Sequence, residues 1–162
     1  MKKISDKQLE VVKSHVDCMI KLTSEKLDSK LELLLNVANS NLDMVDKGRI
    51  DYINGLGIVQ SDSQEIDVLS ARLNTYMNVK KFIEEDSNSL IEQLECMIGL
   101  VSSDLKRSLE TIQSTCIENS KSIKQGFLEN INGMGVLQDR GLSTDILSAK
   151  LYVYLTCLNY AK

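Results

Sequence analysis

Apolar side chains recur along the first third of the chain at Leu9, Val12, Val16, Met19, Leu27, Leu31, Leu34, Ala38, Leu42 and Val45, with Thr23 as the weak point. The steps alternate between three and four residues, which places the set on one face of an α-helix. A second stripe runs through Leu90, Leu94, Met97, Val101, Leu105, Leu109, Ile112, Cys116, Ser120 and Ile123. Each stripe predicts a helical arm roughly 60 Å long at ~1.5 Å per residue. Such spacing over such a length suits coiled-coil-like packing at a shallow crossing angle.

Polar residues punctuate the pattern. Ser5-x-x-Gln8 and Ser89-x-x-Glu92 are capping-box sequences at the two arm starts. Gly48 and Gly126 follow the arms, where a left-handed residue ends a helix and lets the chain reverse. A return arm restarts with Ile50, Ile53 and Gly57 on one face and is predicted to break near residues 61–65, a cluster of overlapping capping signals. The second return arm is predicted to break near residues 139–143. The last segments put Ile66, Leu69, Leu73 and Tyr76, then Leu147, Leu151, Tyr154 and Leu158, on apolar faces.

The two halves are copies of one another. Cys18-Met19-Ile20 recurs as Cys96-Met97-Ile98, Ile53-Asn54-Gly55 as Ile131-Asn132-Gly133, and Leu69-Ser70-Ala71 as Leu147-Ser148-Ala149, all at one ungapped offset of 78 residues. So many matches on a single offset mark a tandem duplication. The 162 residues form a single helical domain made of two repeats, about residues 5–82 and 83–160. The expected fold is all-α: a tandem duplication of a long helical hairpin forming a four-helix bundle with pseudo-two-fold symmetry. An extended pair of hairpins that completes its core with a second chain is the alternative.

Composition narrows the function. With no Pro, no Trp and two Phe, an all-β sandwich or barrel lacks its usual turn and aromatic residues. A net charge of -4 argues against nucleic acid as a partner. Residues 1–82 balance 12 bases against 12 acids, whereas residues 83–162 hold 7 and 11. No apolar run reaches the ~18 residues of a membrane span, and the N-terminal residues lack an apolar signal-peptide core, so neither a membrane location nor export is expected and the chain reads as cytoplasmic. The four cysteines, Cys18, Cys96, Cys116 and Cys157, form no C-x-x-C pair and read as reduced thiols on or near buried faces. His15, the one histidine, reads as a helix-boundary residue, and no metal site or cofactor is expected.

Three features could carry a site. Asn54-Gly55-Leu56-Gly57-Ile58-Val59-Gln60 and its copy Asn132-Gly133-Met134-Gly135-Val136-Leu137-Gln138 place two glycines inside a presumed helix, at a cost of ~2 kcal/mol. They are either a kink or close helix crossing, or paired pockets where backbone amides meet a small anionic ligand. Arg72 and Lys150, one turn after Asp67 and Asp145, either pair on the helix surface or contact an anionic partner. The final run from Ile146 to Ala161 is apolar nearly all round, so Tyr152, Tyr154 and Leu158 are buried centrally or form a self-association or partner interface.

An acid precedes each asparagine by three residues, as Asp51-Tyr52-Ile53-Asn54 and Glu129-Asn130-Ile131-Asn132. This resembles the Glu-x-x-Asn signature, also present twice, of chemotaxis phosphatases that dephosphorylate response regulators. The resemblance implies that Asn54 and Asn132 orient water while Asp51 and Glu129 engage the partner. It covers four residues per copy, and the chain has no period-2 strands to match the α/β fold of those enzymes. The leading expectation is a non-enzymatic protein–protein interaction module, an adaptor, regulator or inhibitor that homo-oligomerises. A ligand-binding sensor or sequestering protein is the second reading, and the phosphatase-like enzyme the third.

Overall fold

The computed structural model describes residues 4–162. Four long helices, α1 (Asp6–Asp46), α2 (Leu56–Asp86), α3 (Leu90–Lys124) and α4 (Met134–Ala161), account for nearly all of them, and no strand occurs among the described residues. Single 3-10 turns at Ile50–Tyr52, Ser87–Ser89 and Leu128–Asn130 link the helices. α1 pairs with α2 and α3 with α4 as hairpins, and α4 also packs on both α1 and α2.

The Ser5 cap forms as expected: its side chain accepts from the Gln8 N–H while the Gln8 side chain accepts from the Ser5 N–H at 3.0 Å. The Ser89 box does not form. Ser89 Oγ instead donates to the Asp86 carbonyl, and the Asp86 carboxylate accepts from the Asn88 N–H, so the repeats join through a tight 3-10 turn. Both first arms end in the same way. The Arg49 N–H reaches back to the Met44 carbonyl and the Phe127 N–H to the Ser122 carbonyl, with Gly48 and Gly126 left-handed between.

The predicted breaks at residues 61–65 and 139–143 are absent; α2 and α4 are continuous there. The capping residues at 61–65 are spent on other partners. Ser63 Oγ donates to the Val59 carbonyl, and Asp62 and Glu65 both accept from Lys30 Nζ across the hairpin, at 2.9 and 2.8 Å.

The core is confined to one end. Val12 and Val16 of α1, Tyr76, Val79 and Ile83 of α2, Leu90, Leu94 and Val101 of α3, and Val153, Tyr154, Cys157 and Leu158 of α4 form a single buried cluster. Beyond it each hairpin continues as an arm only two helices thick. There the helix faces differ from the predicted stripes. Thr23, Leu27, Lys30, Leu34, Val37, Asn41 and Met44 are buried or half-buried, as are their equivalents Val101, Leu105, Ser108, Ile112, Thr115, Asn119 and Ser122. Leu31, Ala38, Leu42 and Val45, assigned to the inner stripe from sequence, face outward, and so do Leu109, Cys116, Ser120 and Ile123.

Burial in the base settles several residues. Tyr154 and Leu158 belong to the chain's own core, so of the three interface candidates only Tyr152 is exposed. Cys157 alone among the cysteines is buried, which pushes its thiol up to about 12; Cys18, Cys96 and Cys116 are exposed, contrary to expectation. His15 sits at the core boundary against the rings of Tyr76 and Tyr160, and desolvation lowers its pKa.

Candidate functional site

The duplicated Asn-Gly-x-Gly segment lies at the tip of each arm and straddles the start of the return helix rather than lying in its interior. Gly55 and Gly133 are the residues just before α2 and α4, in the left-handed conformation with φ of 72° and 69°. Gly57 and Gly135 fall in the first helical turn with open space around them. The expected cost of glycine in a helix therefore falls on Gly57 and Gly135 alone, not on Gly55 and Gly133. What requires glycine is the turn itself. A Cβ on Gly55 would come within 3.1 Å of Val37 Cγ1, and one on Gly133 within 3.0 Å of Thr115 Cγ2.

A side chain that sequence reasoning passed over holds each turn. Asn41 Nδ2 donates to the Asn54 carbonyl at 2.8 Å, and the Asn54 N–H donates to Asn41 Oδ1 at 3.2 Å. In the second copy Asn119 grips Asn132 in the same way at 2.7 and 3.1 Å. This two-bond clasp uses the backbone amide of Asn54 or Asn132, which the pocket reading left free for a ligand. The match of Asn41 to Asn119 at the common offset was available in the sequence as a signal.

The remaining candidates are dispersed. Asn54, Asn132, Gln60, Gln138, Asp51 and Glu129 are exposed at the tips. Arg72 and Lys150 lie in the base, about 25 Å along the helices from the glycine turns. Arg72 stacks its guanidinium over the Tyr152 ring, 5.8 Å from its centre. Lys150 lines a cavity of about 570 Å³ between α2, α3 and α4, with Asp67, Asn74, Asp104 and Tyr154. The structure does not gather them into one site with the tip residues. The helical frame also departs from the α/β scaffold that the phosphatase resemblance implies.

Below the tips the copies diverge. In the first arm Lys30 joins Asp62 and Glu65, and Lys26 meets Glu65 at 2.6 Å. The equivalent of Lys30 is Ser108, whose hydroxyl lies 3.2 Å from Thr144 Oγ1. Hydrogen bonds from Lys26 and then Lys30 hold the Glu65 carboxyl down at about 2. Its stabilising effect is full above the ordinary value of 4.5 and lost as pH falls toward about 2. Urea midpoints of the parent and Glu65→Gln should differ above pH 4.5 and converge as the pH falls toward about 2.

No helix among the described residues is long and apolar enough to cross a membrane. Comparison with family models, with curated proteins and with solved structures finds no match to this chain.

Proposed function

We propose that the chain is a cytoplasmic, non-enzymatic interaction module, an adaptor, regulator or inhibitor of another protein, that engages its target with the arms. In this reading the duplicated hairpins form a pseudo-two-fold four-helix bundle whose base is a stable mount. The observation that carries it is the unequal distribution of apolar side chains. The base buries a connected cluster and leaves Met77, Leu100 and Tyr152 between 53% and 59% exposed, whereas the tips bury none of theirs among the described residues and leave Ile50, Tyr52, Leu128 and Met134 more than 60% exposed, with Phe127 about half exposed. Apolar patches of that kind mark contact surfaces, and aromatic anchors held on a fixed turn lose little entropy on binding. The clasped turns fix those anchors.

The test is capture of proteins from a cell extract by the immobilised chain, set beside a variant carrying Ile50→Asp, Tyr52→Asp and Leu128→Asp. The expected result is one or more proteins held by the parent and missing from a variant of unchanged circular dichroism. Equal capture by both, or nothing above the blank resin, overturns the reading.

A further inference from the structure

The outward face of α1 is a second seam. Leu31, Leu35, Ala38, Leu42 and Val45 follow steps of four and three, the a/d spacing of a coiled coil, and all are exposed. The inner seam of the same helix is occupied by α2, so this outer one has no cover among the described residues.

Surface area indicates what covers it. A compact monomer of this mass exposes about 8,100 Å². This chain, at 18.2 kDa, exposes 10435 Å². The surplus of about 2,300 Å², spread over arms two helices thick, is enough to supply the roughly 1,000–2,500 Å² that one subunit of an obligate homodimer gives up.

Charge indicates which face of the second copy is involved. Residues 24–46 of α1 carry five acids and two bases, net -3, while the equivalent residues 102–124 of α3 carry three acids and four bases, net +1. Both bases of that α1 segment are engaged internally, Lys26 with Glu65 and Lys30 with Asp62 and Glu65. Asp28, Glu32 and Asp46 are left without a cation among the described residues, and Lys121 and Lys124 on α3 without an acid. The outer face of α3 offers exposed Leu109, Ile117 and Ile123 around the smaller Cys116 and Ser120, which leave room for the leucines of α1. Two α1 seams facing each other would bring their acids together, whereas α1 on α3 pairs acid with base.

We propose that the outer seam of α1 docks on the outer face of α3 in a second copy of this chain, the α3 of the first copy receiving α1 of the second. One two-fold axis then makes both contacts at once. The proposal goes beyond the interaction-module reading, whose anchors at the tips it leaves free for the other protein.

Sedimentation equilibrium at about 100 μM chain, well above a micromolar Kd, tests it. The parent should have twice the mass of 18.2 kDa. Leu35→Glu with Leu42→Glu should return it to a single chain of unchanged helix content. Asp28→Lys with Glu32→Lys, and Lys121→Glu with Lys124→Glu, should each weaken the dimer at least tenfold, and the two sets in one chain should restore it. A parent of single-chain mass overturns the proposal but leaves the extract experiment to judge the interaction reading. A leucine variant of undiminished mass overturns it as well. Charge variants without effect overturn the choice of α3.

Discussion

Leu94→Ala should cost about 2–5 kcal/mol of stability, measured as a fall in the urea midpoint at unchanged slope. Leu94 is 0% exposed near the start of α3, within the cluster that joins all four helices. Its removal leaves a void that the surrounding Val, Tyr and Leu side chains can close only partly. Leu33→Ala, the same deletion on the outer side of α1, should change stability by less than about 0.5 kcal/mol. Leu33 is exposed and lies on neither seam. Near-equal losses at the two sites would mean that the core is not confined to the base.

Gly55→Val and Gly133→Val should each destabilise the fold by about 2–5 kcal/mol. The left-handed backbone costs a non-glycine residue about 1–2 kcal/mol, and forcing a side chain into filled space adds about 1–3 kcal/mol. The filled space is specific: Val37 on one arm and Thr115 on the other, each already at contact distance from where the new Cβ would sit. Gly57→Ala and Gly135→Ala should do the opposite, stabilising by up to about 1 kcal/mol, because both lie in helix with nothing near the added methyl. Urea titration of the four variants checks the contrast. If all four lose stability alike, the glycines are needed for some reason other than the turn.

The helical class, the two hairpins and the glycine ends of the first arms were legible because each rests on local rules: period, cap and turn chemistry. The inner face of the arms was not. A search for apolar periodicity follows Leu31, Ala38, Leu42 and Val45, whereas the hairpin is closed by Lys30, Val37, Asn41 and Met44, two of them polar. Lys30 and Asn41 are tolerated inside because Asp62, Glu65 and the Asn54 backbone wait across the gap, and partners at that separation leave no mark on a local pattern. The supposed breaks in α2 and α4 have the same origin, since Asp62 and Glu65 resemble caps until Lys30 is placed beside them. Among the site candidates, the tip position of Asn54 and Gly55 followed from the turn signal. The separation of Arg72 and Lys150 from them followed only from the unbroken length of the helices.

The base joins segments far apart in sequence. His15 near the start meets Tyr160 near the finish, ring centres 4.8 Å apart. Contacts so distant in sequence close last and slowly, while each hairpin can zip from its own turn. The two prongs are therefore expected to form before the core they share, which closes only when α4 meets α1 and α2.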